Sequence, residues 1–173
     1  TLTVVGLLFT INEYVKKGEE KTKPNIKFKI LDPSEQNDYE YCCNFILSDK
    51  DIETQEIYIE LNNLKSDSYI LYPEWSYNNK RISFIGNFYS KEDFLTIIEN
   101  HSKIKIKLIL PIIEGMSSIR TYFLTLICSD ENNNKYSIDV HISYNRYDLL
   151  KSKIITNEAK KIGRYGGKNE KNY

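Results

Sequence analysis

Alternating apolar and polar runs, turn-forming residues between them, and a wealth of isoleucine and tyrosine together predict an all-β sandwich. β-branched and aromatic side chains fit a pleated, half-buried surface, and the chain carries 14 tyrosines among its 173 residues. That length suits one domain with a real core and is short for two.

The strands are read in order. Ile26 to Ile30 alternates cleanly and stops at Asp32-Pro33, because proline cannot donate to a ladder. Tyr39 to Leu47 places Tyr41, Cys43, Phe45 and Leu47 on one face, and Glu56 to Leu61 groups Ile57, Ile59 and Leu61. Tyr69 to Tyr72 and Arg81 to Ile85 flank a turn region at Pro73–Lys80. Ile104, Ile106 and Leu108 alternate with Lys103, Lys105 and Lys107, which predicts one buried and one wet face. Thr121 to Cys128 and Lys135 to Ser143 read as a hairpin. Between them, Asp130 to Asn134 supplies residues that tolerate the left-handed backbone of a tight turn.

Two segments break this rhythm. Ser90 to Glu99 opens with a capping-box-like Ser90/Asp93 pair and spaces Phe94, Leu95, Ile97 and Ile98 as a short inserted helix would. Tyr147 to Ile162 sets Leu150, Ile154 and Ile162 on one side and stops before Gly163, so a C-terminal amphipathic helix is expected there. The predicted organisation is an N-terminal strand or linker at 1–25, a sandwich at 26–146, and a helix with a disordered basic tail at 147–173.

Charge narrows the function classes. Lys and Arg balance Asp and Glu at 24 each, which argues against nucleic-acid binding through a domain-wide positive field. The excess of positive charge is local, with seven basic against two acidic residues from Lys151 to Tyr173. No run reaches the roughly 18 apolar residues of a membrane-spanning helix. Leu2 to Ile11 is about half that length and reads as a buried strand or the remnant of a signal-peptide hydrophobic region.

The three cysteines are Cys42, Cys43 and Cys128. Adjacent strand residues face opposite ways, so Cys43, which shares its face with Phe45, is the better inward candidate of the first two. Cys128 lies on the apolar face of Tyr122, Leu124 and Leu126. An antiparallel sandwich of the immunoglobulin-like type joins its sheets by such a cystine. Two states remain open, a Cys43–Cys128 disulfide or three reduced, buried thiols.

One stretch carries a family resemblance. Tyr72-Pro73-Glu74-Trp75-Ser76-Tyr77 followed by Ile82 to Phe88, and later Tyr122 to Asp130 followed by Tyr136 to Ile142, resemble the cadherin-like repeats of the dystroglycan type. Such repeats carry a Pro-x-Trp element, a short strand and a Gly-containing turn, here Gly86, before two closing strands. Asn87 and Phe88 depart from the small residue and Pro that normally follow that glycine, and Ser90–Asn100 is longer than in the family. The resemblance spans roughly Ile26 to Ser143. It implies an extracellular or lumenal module for adhesion or spacing.

Catalytic and metal motifs are not found. His101 and His141 do not pair at metal-ligand spacing, and Cys42-Cys43 is no CxxC. Asp49, Asp51 and Asp130 are loop-borne oxygen donors and stand as candidate calcium ligands, although none matches an EF-hand loop. Asn100-His101-Ser102 is a glycosylation sequon, with Asn100 as the acceptor. The expectation is a non-catalytic structural or adhesion-type binding module in an extracellular or surface assembly. Its partners would be other subunits or repeats of the same kind, with no cofactor required. One alternative is a non-catalytic subunit of an intracellular complex that docks through the basic tail. Another is a carbohydrate-binding module built on Tyr72, Trp75, Tyr77 and Tyr89, whose rings would stack on sugars.

Overall fold

The computed structural model describes residues 13–15, 17–18, 22–32, 39–45, 53–71, 75–79, 82–90, 96–112 and 118–164, with the backbone alone for 75–79, 82–90 and 96. Twelve strands run through these residues. They are β1 (Ile26–Ile30), β2 (Tyr41–Asn44), β3 (Thr54–Asn63), β4 (Tyr69–Leu71), β5 (Trp75–Asn79) and β6 (Ile82–Ser90). β7 (Thr96–Ile98), β8 (Lys103–Pro111), β9 (Ile119–Ser129), β10 (Asn134–Asn145), β11 (Lys153–Thr156) and β12 (Lys160–Arg164) follow.

The expected all-β sandwich is present. One sheet runs β1-β3-β8-β2 and ends on the second half of β6; the other runs from the first half of β6 through β5, β9 and β10. β6 therefore belongs to both sheets. Ile82 to Gly86 pairs with β5, and Asn87 to Ser90 pairs with β2. Strands that switch sheets make the corners of a sandwich, and Gly86 stands at the handover, where the missing Cβ lets a strand bend. One pairing departs from the antiparallel expectation: β2 lies parallel to β8, with Cys43 opposite Leu108.

Alternation builds the core. Ile57, Ile59 and Leu61 of β3 face Ile104, Ile106 and Leu108 of β8 on one sheet, and all six are buried. Tyr122, Leu124, Leu126 and Cys128 of β9 meet Tyr136, Ile138, Val140 and Ile142 of β10 on the other. Cys43 and Cys128 are both buried, one in each sheet, but no bridge joins them, and all three cysteines are free thiols.

The terminal segments differ from expectation. No helix covers 147–162. A 3-10 turn at Leu149–Lys151 leads into β11 and β12, which cover the outer edge of β10 in tandem. Leu150 is 97% exposed, so the helical stripe read from sequence buries nothing at that position. The unpaired N–H and C=O groups of a twelve-residue strand supply the stronger demand. β11 and β12 thus carry the sheet on to Arg164. Within the inserted segment, Ser90 closes β6, and Thr96–Ile98 is β7, paired with β4; Phe94 and Leu95 lie outside the described residues. The supposed turn region at 73–80 contains β5, which forms a hairpin with β6. At the N-terminus, residues 13–15 and 17–18 are helical, and Leu2 to Ile11 lies outside the described residues.

One turn ties the longest hairpin. Asp130 is 6% exposed between β9 and β10. Its Oδ1 accepts the backbone N–H groups of Asn132 (2.9 Å) and Asn134 (2.8 Å). Its Oδ2 accepts the Asn134 side-chain amide (2.7 Å) and the Tyr136 hydroxyl (3.1 Å). Asn133 takes φ 61°, a left-handed conformation that asparagine tolerates. The Tyr136 hydroxyl oxygen also accepts from the Thr22 hydroxyl at 3.4 Å, and the Tyr69 hydroxyl donates to the Thr22 carbonyl, so residues before β1 are anchored at this same end.

Two outcomes follow from this packing. Asp130→Ala removes four acceptor contacts from a buried turn, and we expect it to lower the free energy of unfolding by about 2–4 kcal/mol in urea titration. Burial also pushes the Cys128 thiol up from 9.0 to about 12 and raises the Cys43 thiol and the Tyr69 phenol. These groups stay neutral in the fold at pH values where the unfolded chain ionises them. Their contribution is thus full below the unfolded pKa and is lost as pH rises through the folded one. For Cys128 that window opens at 9.0 and runs to about 12. The free energy of unfolding from urea titration should be well below its value at about pH 8 when measured at about pH 10.5, by up to about 1.4 kcal/mol per group and pH unit.

Candidate interaction surface

The two outer faces of the sandwich have different chemistry. On the β1-β3-β8-β2 sheet the outward positions form a charge ladder. Lys103 pairs with Glu60 at 3.1 Å, and Lys107 pairs with Glu56 at 2.6 Å. The Tyr58 hydroxyl donates to Glu56 Oε2, and the Lys107 ammonium lies 5.6 Å and 5.7 Å from the ring centres of Tyr39 and Tyr58. The hydrogen bond from Lys107 holds the Glu56 carboxyl below the usual carboxylate range. Cys42 sits opposite Lys107 in the register, half-buried, and burial raises its thiol. Such a face is well served by water.

The outer face of the β9-β10-β11 sheet is mostly uncharged. The register aligns Phe123, His141 and Ile155 in one row across three strands. Phe123 is 42% and Ile155 63% exposed, and the His141 ring stands edge-on to Phe123 with centres 4.7 Å apart. Ile119, at the start of β9, is 47% exposed on the same face. Charge lies to either side of the row. Asp139 is one step along β10, accepting from Thr125 Oγ1 at 3.2 Å with Lys160 at 3.8 Å, and Lys153 is one step the other way, on β11. Tyr147 and Leu150, both strongly exposed, follow in the connection to β11, where Arg146 stacks over and hydrogen-bonds the Tyr147 ring system. Apolar side chains presented together in this way, rimmed by polar ones, are the surface signature of an interaction site.

The residues singled out from sequence fall elsewhere. Trp75 and Tyr77 are on β5, with Tyr77 opposite Phe84 and Leu124, whereas Tyr89 is in the half of β6 that pairs with Cys42 of the other sheet. Tyr72 lies outside the described residues. Asp49 and Asp51 also lie outside them. Asp130 is committed to four protein donors, which use the acceptor positions a carboxylate offers. Asn100 is exposed in the turn between β7 and β8, its N–H donating to Ser68 Oγ and its neighbour His101 at φ 50°. Among the described residues no helix is long and apolar enough to cross a membrane.

The Phe123–His141–Ile155 row was only partly legible in the sequence. The alternation around Val140 and Ile142 puts His141 outward, but Ile155 joins it only once 153–156 is a strand.

If this face serves contact and not folding, Phe123→Ser should change the free energy of unfolding by less than about 1 kcal/mol, read from urea midpoints. No protein-family model, curated protein or solved structure matches the chain.

Proposed function

We propose that the chain is a non-catalytic structural module of the immunoglobulin-like, adhesion type, which assembles with further copies of its kind through the outer face of its β9-β10-β11 sheet in an extracellular or surface setting. The observation that carries this reading is the contrast between the two faces: one is laced with Lys–Glu pairs, and the other presents Ile119, Phe123 and Ile155 around a half-buried histidine. Charged groups are depleted at the centres of protein interfaces, and aromatic residues are enriched there.

A second copy is the occupant that the charge pattern favours. Asp139 and Lys153 flank the apolar row on opposite sides. A two-fold axis running across the strands would bring Lys153 of one copy beside Asp139 of the other, as a self-complementary interface requires. The even charge balance also leaves no net repulsion between copies.

Sedimentation velocity over a range of concentrations tests the reading. The native chain should shift from monomer toward dimer as concentration rises, and Phe123→Glu with Ile155→Glu should remain monomeric while keeping its fold. A native chain that stays monomeric at all concentrations, or a double variant that still dimerises, would overturn it.

A further inference from the structure

We infer that the connection between β10 and β11 is a membrane-contact tip, which sets Leu150 and Tyr147 into the headgroup boundary of an anionic bilayer while Arg146 and Lys153 meet its negative charge. Leu150 is 97% and Tyr147 71% exposed, and no large apolar side chain among the described residues is more exposed than Leu150. The tip lies past the end of β10, beyond the Phe123–His141–Ile155 row, so it does not depend on self-association through that face.

Local hydrogen bonds fix the turn that presents these side chains. The Asn145 side-chain carbonyl accepts the N–H groups of Tyr147 (3.0 Å) and Asp148 (3.2 Å), and Ser152 Oγ accepts the Asn145 N–H (2.8 Å). Lys151 and Ser152 donate to the carbonyls of Asp148 and Leu149, which closes the 3-10 turn. Leu149 is half-buried, so the turn takes one leucine toward the protein and holds the next in solvent. Ile119, 47% exposed, opens β9 opposite Asn145 and adds a third apolar side chain at the same end of the sandwich. Single exposed apolar residues are ordinary, but several held together mark a contact surface.

Shape and charge choose the occupant. A leucine so fully exposed stands on a convex tip, which a flat protein face cannot enclose, whereas a fluid headgroup layer closes around it. Tyrosine suits that depth, because its ring is apolar and its hydroxyl stays wet. Between Ser143 and Ile155 the chain carries Arg146, Lys151 and Lys153 against Asp148. Lys151 takes up Asp148 at 2.8 Å. Arg146 lies over the Tyr147 ring, a neutral partner that leaves its charge in place, and Lys153 is exposed on β11. Arg146 and Lys153 thus stand beside the apolar side chains as two positive charges with no acidic partner among the described residues. Apolar insertion joined to positive charge is what holds peripheral segments on anionic membranes.

Flotation of the full chain with lipid vesicles is the test. The chain should float with vesicles of equal parts phosphatidylcholine and phosphatidylserine, half-bound at roughly 1 mM lipid, and not with phosphatidylcholine alone. Leu150→Ser should weaken binding by about tenfold and Lys153→Ser by about fivefold, with urea midpoints unchanged because both side chains are exposed. Leu150→Trp should bind as the native chain does, and its added fluorescence should be quenched by acyl-brominated lipid beyond any quenching of Trp75 in the native chain. Phe123→Ser, on the self-association face, should float as the native chain does. The proposal is overturned if the native chain does not float with anionic vesicles, or floats equally well with phosphatidylcholine. Unchanged binding by Leu150→Ser, or unquenched Leu150→Trp fluorescence, would also overturn it. Capture of a protein partner that Leu150→Ser abolishes, without vesicle binding, would assign the tip to a protein surface instead.

Discussion

The β9–β10 hairpin is the constraint on which the rest of the structure depends. Its ladder runs from Ile119 opposite Asn145 to Ser129 opposite Lys135, and its turn is tied by a buried carboxylate. Two strands this long expose long outer edges, and buried backbone groups must find partners. No single neighbour spans either edge. On β9, β5 pairs near Leu124 and β4 pairs near Cys128; on β10, β11 pairs near Ile142 and β12 near Tyr136. Four short strands thus owe their place to two long ones, and the sheet's inner face contributes an unbroken row of buried Tyr, Leu, Val and Ile side chains.

The second sheet is held to the first by β6 at one corner and by the shared core between them. Because β6 changes sheets at Gly86, the sandwich is closed along that side by a continuous chain. The opposite side, where β1 meets the β11–β12 connection, is a seam without a ladder among the described residues, and a cleft lies there. The two outer faces differ in turn: one carries Lys–Glu pairs, and the other is largely uncharged around Phe123, His141 and Ile155.

Much of the fold was legible because alternation has a period of two and burial follows it residue by residue. Ile57/Ile59/Leu61, Ile104/Ile106/Leu108 and Tyr122/Leu124/Leu126/Cys128 all face inward as their spacing implies. The reading failed where a short segment satisfies two periods at once. Leu150, Ile154 and Ile162 have helical spacing, yet Ile154 turns inward and Ile155 outward as in a strand, because the edge of β10 offers hydrogen bonds that an isolated helix could not match. β5 was similarly hidden in a stretch rich in turn-forming residues, since its strand identity comes from its neighbours β6 and β9.

By itself the sequence determined the all-β class, the inward and outward faces of the long strands, and the Asp130 turn, since these rest on local spacing and on side chains that bond to nearby backbone. The tertiary structure alone placed Cys43 and Cys128 in separate sheets. It also decided that Ile155 joins Phe123 and His141 in one row. Each of those features joins residues far apart in the chain, and pairing register, which no local pattern encodes, determines which of them become neighbours.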